Sequence, residues 1–347
     1  MKMKKILVVI IILISNLVDA QDLHLTQFYM SPLTLNPALT GVFNGNYRFT
    51  GNYRNQWSSV IANPYETLAG AIEFSGKSGD FNRIGAGFHV LSDQAGTSQL
   101  TTNIFSGSVS YNFALSRNMD YYISTGLNVA YTQKSINPAN LTFGSQYGDA
   151  GYSPDILSGE SITTNKYSYA DASLGFLWYH IQGKRHNQFL GLSLWHVNRP
   201  NLAFIDNDLD KLYTKIIGHA GLEFPISGKA DMTPYFLAMK QGPHTELELG
   251  TLFKFILEER KGQILGGTNF YIGPFYRIVG NQDVFVFSDA LILCTKLDVG
   301  GFTFGMSYDI NVSGLVPASA SRGGPELAIQ YTGAFKHQNS KTFCPRF

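Results

Sequence analysis

Between residues 302 and 312 every second side chain is apolar: Phe302, Phe304, Met306, Tyr308, Ile310 and Val312, with Thr303, Gly305, Ser307, Asp309 and Asn311 between them. A period of two belongs to an extended strand whose two faces meet different surroundings. Either the fatty row meets a protein core and the polar row meets bulk water, or the fatty row meets lipid and the polar row lines an enclosed lumen.

The same alternation returns at intervals of about 20 residues. Tyr47, Phe49, Gly51 and Tyr53 interleave with Arg48, Thr50, Asn52 and Arg54. Leu68, Gly70, Ile72 and Phe74 leave Glu73 on the other face, and Leu247, Leu249, Thr251, Phe253 and Phe255 alternate with Glu246, Glu248, Gly250 and Lys254. The last run sets Leu327, Ile329, Tyr331, Gly333 and Phe335 against Glu326, Ala328, Gln330 and Thr332. Between residues 47 and 335 there are about fourteen such runs, each near the roughly 9 to 11 residues that a tilted strand needs to cross a bilayer. An even count returns both ends of the sheet to one side.

Connector lengths separate lipid from core. Bacterial outer-membrane barrels have short periplasmic turns and longer external loops. Here the connectors after even-numbered runs are short and polar: GKSGDFN (76 to 82), LSRNMD (115 to 120), QGKRHN (182 to 187), PISGKA (225 to 230), LEERKG (257 to 262) and KLDVGG (296 to 301). The long ones, about 133 to 166, 196 to 212 and 312 to 324, all follow odd-numbered runs. A soluble sandwich has no reason to sort its loops this way. The fold expected is therefore all-β: a transmembrane antiparallel barrel of about 14 strands with both termini periplasmic, a multi-pass protein of the cell outer membrane.

Composition agrees. Aromatic residues make up 14% of the chain, glycines number 35, and only 15% of residues are charged. That suits strands with one face in lipid and rings at the interfaces. Residues 1–20 have a basic start (Lys2, Lys4, Lys5), an apolar stretch from Ile6 to Ile14 and a small residue, Ala20, before Gln21, the layout of a cleavable signal peptide. Past Gln21 no apolar run approaches the roughly 18 residues of a membrane helix. Without residues 1–20 the chain has 23 basic and 24 acidic residues, a net charge of about -1, and nothing in that balance points to nucleic acid as a partner. Two cysteines, Cys294 and Cys344, are too few for a disulfide framework, and a single bridge is unforced.

A charge at the lipid midplane costs roughly 2 to 4 kcal/mol, so Arg48, Glu73, Glu246, Asp309 and Glu326 should face the lumen, and their mixed signs suggest internal ion pairs. Residues 21–46, broken by Pro32 and Pro37, are too long for a spacer and contain apolar groups to bury, so this segment is expected to pack into the periplasmic mouth. Residues 47–335 form the barrel and 336–347 a polar periplasmic tail.

Enzyme motifs are lacking. There is no G-x-S-x-G, H-E-x-x-H or P-loop, and GAGFHV (85 to 90) lacks the third glycine of a dinucleotide fingerprint. No cofactor is implied. Asp206, Asp208 and Asp210 imitate the start of a calcium loop, but Lys211 stands where the glycine belongs and the later glutamate is missing. A solvated acidic loop explains them better. Asp309 and Glu326, on neighbouring final strands, could be imagined as an acid pair, yet pairing with Arg48 or Arg54 across the closing seam needs fewer assumptions. Trp57 reads as a membrane-belt anchor or a partner contact, and His196 as a loop-closing hydrogen bond.

Several stretches, TQFYMSPLTLNPALTG (26 to 41), YRNQW (53 to 57), WHVNRPN (195 to 201), YDIN (308 to 311), GGPELAIQY (323 to 331) and the closing CPRF, resemble in order the PorP/SprF family of outer-membrane proteins of the type IX secretion system of Bacteroidetes. The family pattern falls on Asn36, Pro37, Ala38 and Gly41; on Tyr53, Arg54, Gln56 and Trp57; on His196, Asn198 and Pro200; and on Tyr308 and Asp309. Where the family commonly shows Met-Phe-Asn ahead of its Asn-Pro, this chain has Tyr29, Met30, Ser31 and Pro32. The resemblance implies a fourteen-stranded, non-enzymatic barrel that works with other type IX components. Such a barrel receives or anchors large secreted adhesins by their C-terminal domains, often in gliding motility. The competing expectation is an outer-membrane substrate channel, like a porin or a fatty-acid transporter.

Overall fold

The computed structural model describes residues 22–79, 81–116, 120–148, 151–157, 159, 165–183, 185–202, 211–258, 267–280 and 287–335. Fourteen strands carry the fold: β1 (Tyr47–Gln56), β2 (Tyr65–Ser78), β3 (Asn82–Ala95), β4 (Leu100–Ala114), β5 (Tyr121–Ser135), β6 (Lys166–Ile181), β7 (Asn187–Trp195), β8 (Lys215–Ser227), β9 (Ala230–Gln241), β10 (His244–Glu258), β11 (Thr268–Gly280), β12 (Phe287–Val299), β13 (Phe302–Asn311) and β14 (Arg322–Gly333). Each pairs with the next in chain order, and β1 pairs with β14 from Tyr47↔Gly333 to Arg54↔Glu326, which closes the barrel. All fourteen ladders are antiparallel, so no edge is left with unpaired amides. The expected all-β transmembrane barrel is the fold observed. Among the described residues no helix is long and apolar enough to cross a membrane.

β1 starts and β14 finishes at the same end of the barrel, the turn end, where β8 and β9 are joined by residues 228–229 and β12 and β13 by 300–301. The opposite, loop end carries, among the described residues, 57–64, 136–148, 151–157, 159, 165, 196–202, 211–214 and 312–321, with a two-rung ladder (Tyr147–Gly148 on Gly151–Tyr152) between β5 and β6. Two connectors at the loop end are nonetheless tight, 96–99 and 242–243, and each turns through a glycine at positive φ, Gly96 at 64° and Gly242 at 55°.

The apolar rows face outward. Val129 is 65% exposed and Leu68 61%, while Glu73, Ser124 and Asp231 are 0% exposed. A water-soluble barrel would reverse these faces. With lipid as the outer solvent each outward row is desolvated without a protein partner, and the polar row must find its hydrogen bonds inside.

Inside, the structure departs from the expectation that residues 21–46 occupy only the mouth at the strands' shared starting end. The chain enters at the loop end, where the Asp22 amide donates to Gln241 Oε1 at 2.9 Å, and leaves at the turn end, where the Asn46 amide donates to the Gly333 carbonyl at 2.8 Å. It therefore runs the full height of the lumen. The physical reason is an apolar inner wall: Leu177, Tyr179, Ile217, Tyr235, Leu237, Leu252, Phe275 and Ile292 point inward and bury Phe28, Tyr29, Met30, Leu35, Leu39 and Val42 of the segment in one core. Tyr29 stacks on Tyr235 and Phe275, with ring centroids 5.4 and 5.8 Å apart. Pro32 and Pro37 each open a short helical turn, Pro32–Leu35 and Pro37–Leu39, where a missing amide hydrogen leaves nothing unpaired. The segment lies so close to the wall that a Cβ at Gly126 would collide with the Pro37 carbonyl and one at Gly175 with the Asn36 side chain.

Candidate functional site

The functional candidate is the filled lumen together with the polar mouth it leaves at the loop end. It is assembled from the segment outward.

At the loop end the segment is clasped. His196, the first residue after β7, sets Nδ1 2.7 Å from Asp171 Oδ2 on β6 and Nε2 2.5 Å from Asp22 Oδ2, and Lys215 Nζ at the start of β8 lies 2.9 Å from the same Asp22 oxygen. Burial alone would lower the imidazole pKa, but hydrogen bonds to Asp171 and Asp22 outweigh it and the net direction is upward. For Asp22 burial acts to raise the pKa; the Lys215 charge and the His196 bond overcome it and hold the carboxyl well below its usual range. The histidine expected to close a loop instead ties the segment to the wall. Loop closure falls to Asn198, whose Nδ2 donates to the Ala170 carbonyl at 2.8 Å and whose Oδ1 accepts from the Ala172 amide at 3.1 Å, and to the Pro200 carbonyl, which accepts from the Leu212 amide at 2.9 Å.

One turn further in, the closing seam grips the backbone. Glu326 on β14 accepts the amides of Thr26 at 2.8 Å and Gln27 at 3.0 Å. Arg54 on β1 bridges to Asp309 at 3.1 Å and Glu326 at 3.8 Å and donates to the His24 carbonyl. Arg277 on β11 completes the network, with Nη2 2.7 Å from Asp309, Nε 2.7 Å from Asp289 and Nη1 3.2 Å from Thr26 Oγ1. Asp309 and Glu326 are thus held by arginines and the segment.

Midway, Asn36 Oδ1 caps the Ala38 amide at 2.9 Å. Its Nδ2 donates to the carbonyls of Phe176 and Leu192 at 3.0 and 3.3 Å and lies 3.0 Å from His219 Nε2. Pro37 starts the following turn, the Ala38 carbonyl accepts from Ser124 Oγ at 2.7 Å, and Gly41, at a φ of 70°, donates its amide to Glu73 at 3.1 Å. Glu73 in turn receives Nε and Nη2 of Arg48 at 2.7 and 2.9 Å, both residues buried and directly opposite one another in the β1–β2 register. Arg48 therefore pairs with Glu73 and not with the carboxylates of the seam. At the turn end Lys254 joins Glu223 at 2.7 Å and Asp231 at 3.1 Å, and Arg185 closes over Asp231.

Above the segment, at the loop end, lies an open cavity of about 330 Å³ lined by His24, Gln56, Trp57, Glu246, Arg277, Asp289 and Asp309 among others. Trp57 lines this mouth, just past the end of β1 and at a φ of 64°. Tyr53 and Tyr308 belong to the outward rows, 39% and 42% exposed, and the Tyr53 hydroxyl donates to Glu66 at 3.3 Å. Glu246 is 1% exposed and Glu248, two residues on, is equally buried. Cys294 is a free, buried thiol. Asp206, Asp208, Asp210, Cys344, residues 1–20 and the tail 336–347 lie outside the described residues. Asp22, Asp171, Lys215, His219, Arg277 and Asp289 join the site without having stood out in the sequence. For Arg277 a signal existed, a lone arginine between Tyr276 and Ile278 in a strand, and inward charges of this kind need partners.

The comparisons with known proteins bear on the whole chain. The sequence matches, over residues 17–331, the family described as "Type IX secretion system membrane protein PorP/SprF". No curated protein matches it. Among solved structures, similar folds include BamA from Haemophilus ducreyi lacking POTRA domains 1-3, at 8% identity over 83% of this chain and 70% of that one with a TM-score of 0.43. A deltaS2 mutant of the TodX monoaromatic hydrocarbon channel is also similar, at 8% identity over 88% and 94% with a TM-score of 0.48. The Ralstonia pickettii toluene transporter TbuX is 10% identical over 88% and 94%, with a TM-score of 0.39. With nearly its whole length covered by the family match, this chain belongs to the PorP/SprF family of type IX secretion system membrane proteins, a family of the outer membrane.

Proposed function

We propose that this chain is a non-enzymatic barrel of the type IX apparatus whose loop end receives or anchors secreted surface proteins, adhesins among them, by their C-terminal domains. Residues 1–20 act in this reading as a cleaved signal, the turn end faces the periplasm, and the cell is a gliding or adhesin-bearing member of the Bacteroidetes. The observation that supports it is the occupied lumen: a segment bonded to the wall from Asp22 to Asn46 and packed into its core runs along it, which favours the mouth and its loops as the working surface. That weighs against the substrate channel. Mild solubilisation of outer membranes and capture of the tagged full chain should recover type IX components and a large secreted protein. Recovery of the chain alone, with surface adhesins unchanged in a deletion strain, would reject the anchoring role.

A further inference from the structure

The mouth cavity carries an imbalance of charge. Of its lining, Glu246, Asp289 and Asp309 are carboxylates and Arg277 is the arginine facing them. Arg277 spends its guanidinium hydrogen bonds on Asp289, Asp309 and Thr26 and makes none to Glu246, which feels only its charge. Glu246 is 1% exposed, yet neither of its oxygens has a hydrogen-bond partner, and Oδ1 of Asp309 is equally unpartnered. The imidazole of His24 comes within 3.4 Å of Glu246 without forming a hydrogen bond. A buried carboxylate with empty acceptors is costly unless a cation or donor reaches it. Here Glu246, with both oxygens unbonded, and Asp309, which keeps one oxygen unbonded although two arginines hold the other, line one cavity that opens to the loop end and carries an indole, Trp57, among its walls.

We propose that this cavity binds one organic cation, a guanidinium or ammonium side chain presented by the docked polypeptide, with Glu246 and Asp309 as its acceptors and Trp57 as the aromatic wall. The claim rests on the docking reading for the source of the cation, and on the cavity alone for its chemistry. An arginine side chain fits within about 330 Å³, and a guanidinium stacks on an indole while donating in its own plane to carboxylates. A compact divalent ion is the poorer fit, since among the described residues no group of three or more acidic, histidine or cysteine side chains is placed to hold a metal.

The test uses the full chain purified in detergent and titrated calorimetrically with agmatine, a guanidinium on a four-carbon stem. Saturable binding is expected, weakened roughly tenfold or more by Glu246→Gln and by a smaller factor by Trp57→Ala. Heat-modifiability on gels checks that both variants remain folded barrels, and Glu66→Gln, on the outer face, should bind like the wild type. Absence of saturable agmatine binding, equal binding by a folded Glu246→Gln protein, or preferential binding of calcium chloride that depends on Glu246 would each overturn the proposal. Because agmatine replaces the polypeptide, this result is independent of the capture experiment. Agmatine binding without a captured adhesin leaves the pocket standing and rejects the anchoring role, and the converse rejects the pocket.

Discussion

Nε2 of His196 lies 2.5 Å from Oδ2 of Asp22 across 174 positions of sequence, and with Nδ1 on Asp171 the imidazole bridges the strand wall and the outer end of the lumen segment. Only an imidazolium donates from both ring nitrogens. The raised pKa of His196 means that its contribution is complete below about pH 6.5 and fades as pH rises through the folded-state value. The lowered pKa of Asp22 means that its contribution is present above its usual 3.8 and fades only as pH falls through the depressed value. Hydrogen exchange should therefore find residues 22–27 best protected between roughly pH 4 and 6.5, with protection declining toward alkaline pH. In His196→Ala the alkaline decline should vanish, and a wild-type profile flat from acid to alkali would refute the clasp.

Arg48 and Glu73 form a buried bidentate pair on β1 and β2. Arg48→Met leaves the Glu73 charge stranded, and a loss of about 3 to 5 kcal/mol is expected in urea unfolding followed by heat-modifiability. Replacing both, as Arg48→Met with Glu73→Leu, removes the stranded charge but also the acceptor of the Gly41 amide. The double variant should recover part of the loss, and additivity of the two single changes would contradict the pairing.

The wall glycines predict a steric effect on conductance. Full chain in planar bilayers should show no large stable current, while deletion of residues 22–43 should open one. Gly126→Val, whose side chain would occupy the place of the Pro37 carbonyl, should give intermittent openings. Equal currents from full and deleted chains would mean that the segment does not block the lumen.

Val129 stands in the middle of β5 on the outward row. Val129→Arg should destabilise the bilayer-inserted protein by roughly 2 to 4 kcal/mol, read from reversible unfolding in vesicles, whereas Val129→Leu should change little.

Strand alternation made the barrel legible because an enclosed lumen and a lipid exterior impose opposite chemistry on successive residues. Strand order alone links Arg54 to Glu326, since the first and last strands of a closed barrel must be neighbours, and Asp309 lies one strand further, on β13. The partner of Arg48 required the register: Tyr47↔Phe74 sets Arg48 directly opposite Glu73, and one residue of slip would have undone it. The path of residues 22–46 was beyond reach because it depends on inward apolar side chains such as Tyr235, Phe275 and Ile292, which alternation places on the polar face. His196 and Asp22 belong to a loop and an irregular segment, where no period links one position to another.

Glu326 holds the amides of Thr26 and Gln27 from β14 while Arg54 holds the His24 carbonyl from β1, so the threaded peptide is stitched to both lips of the joint where the cylinder shuts. Parting that joint would therefore also break the grip on residues 24–27, so the hoop cannot open there without loosening its filling.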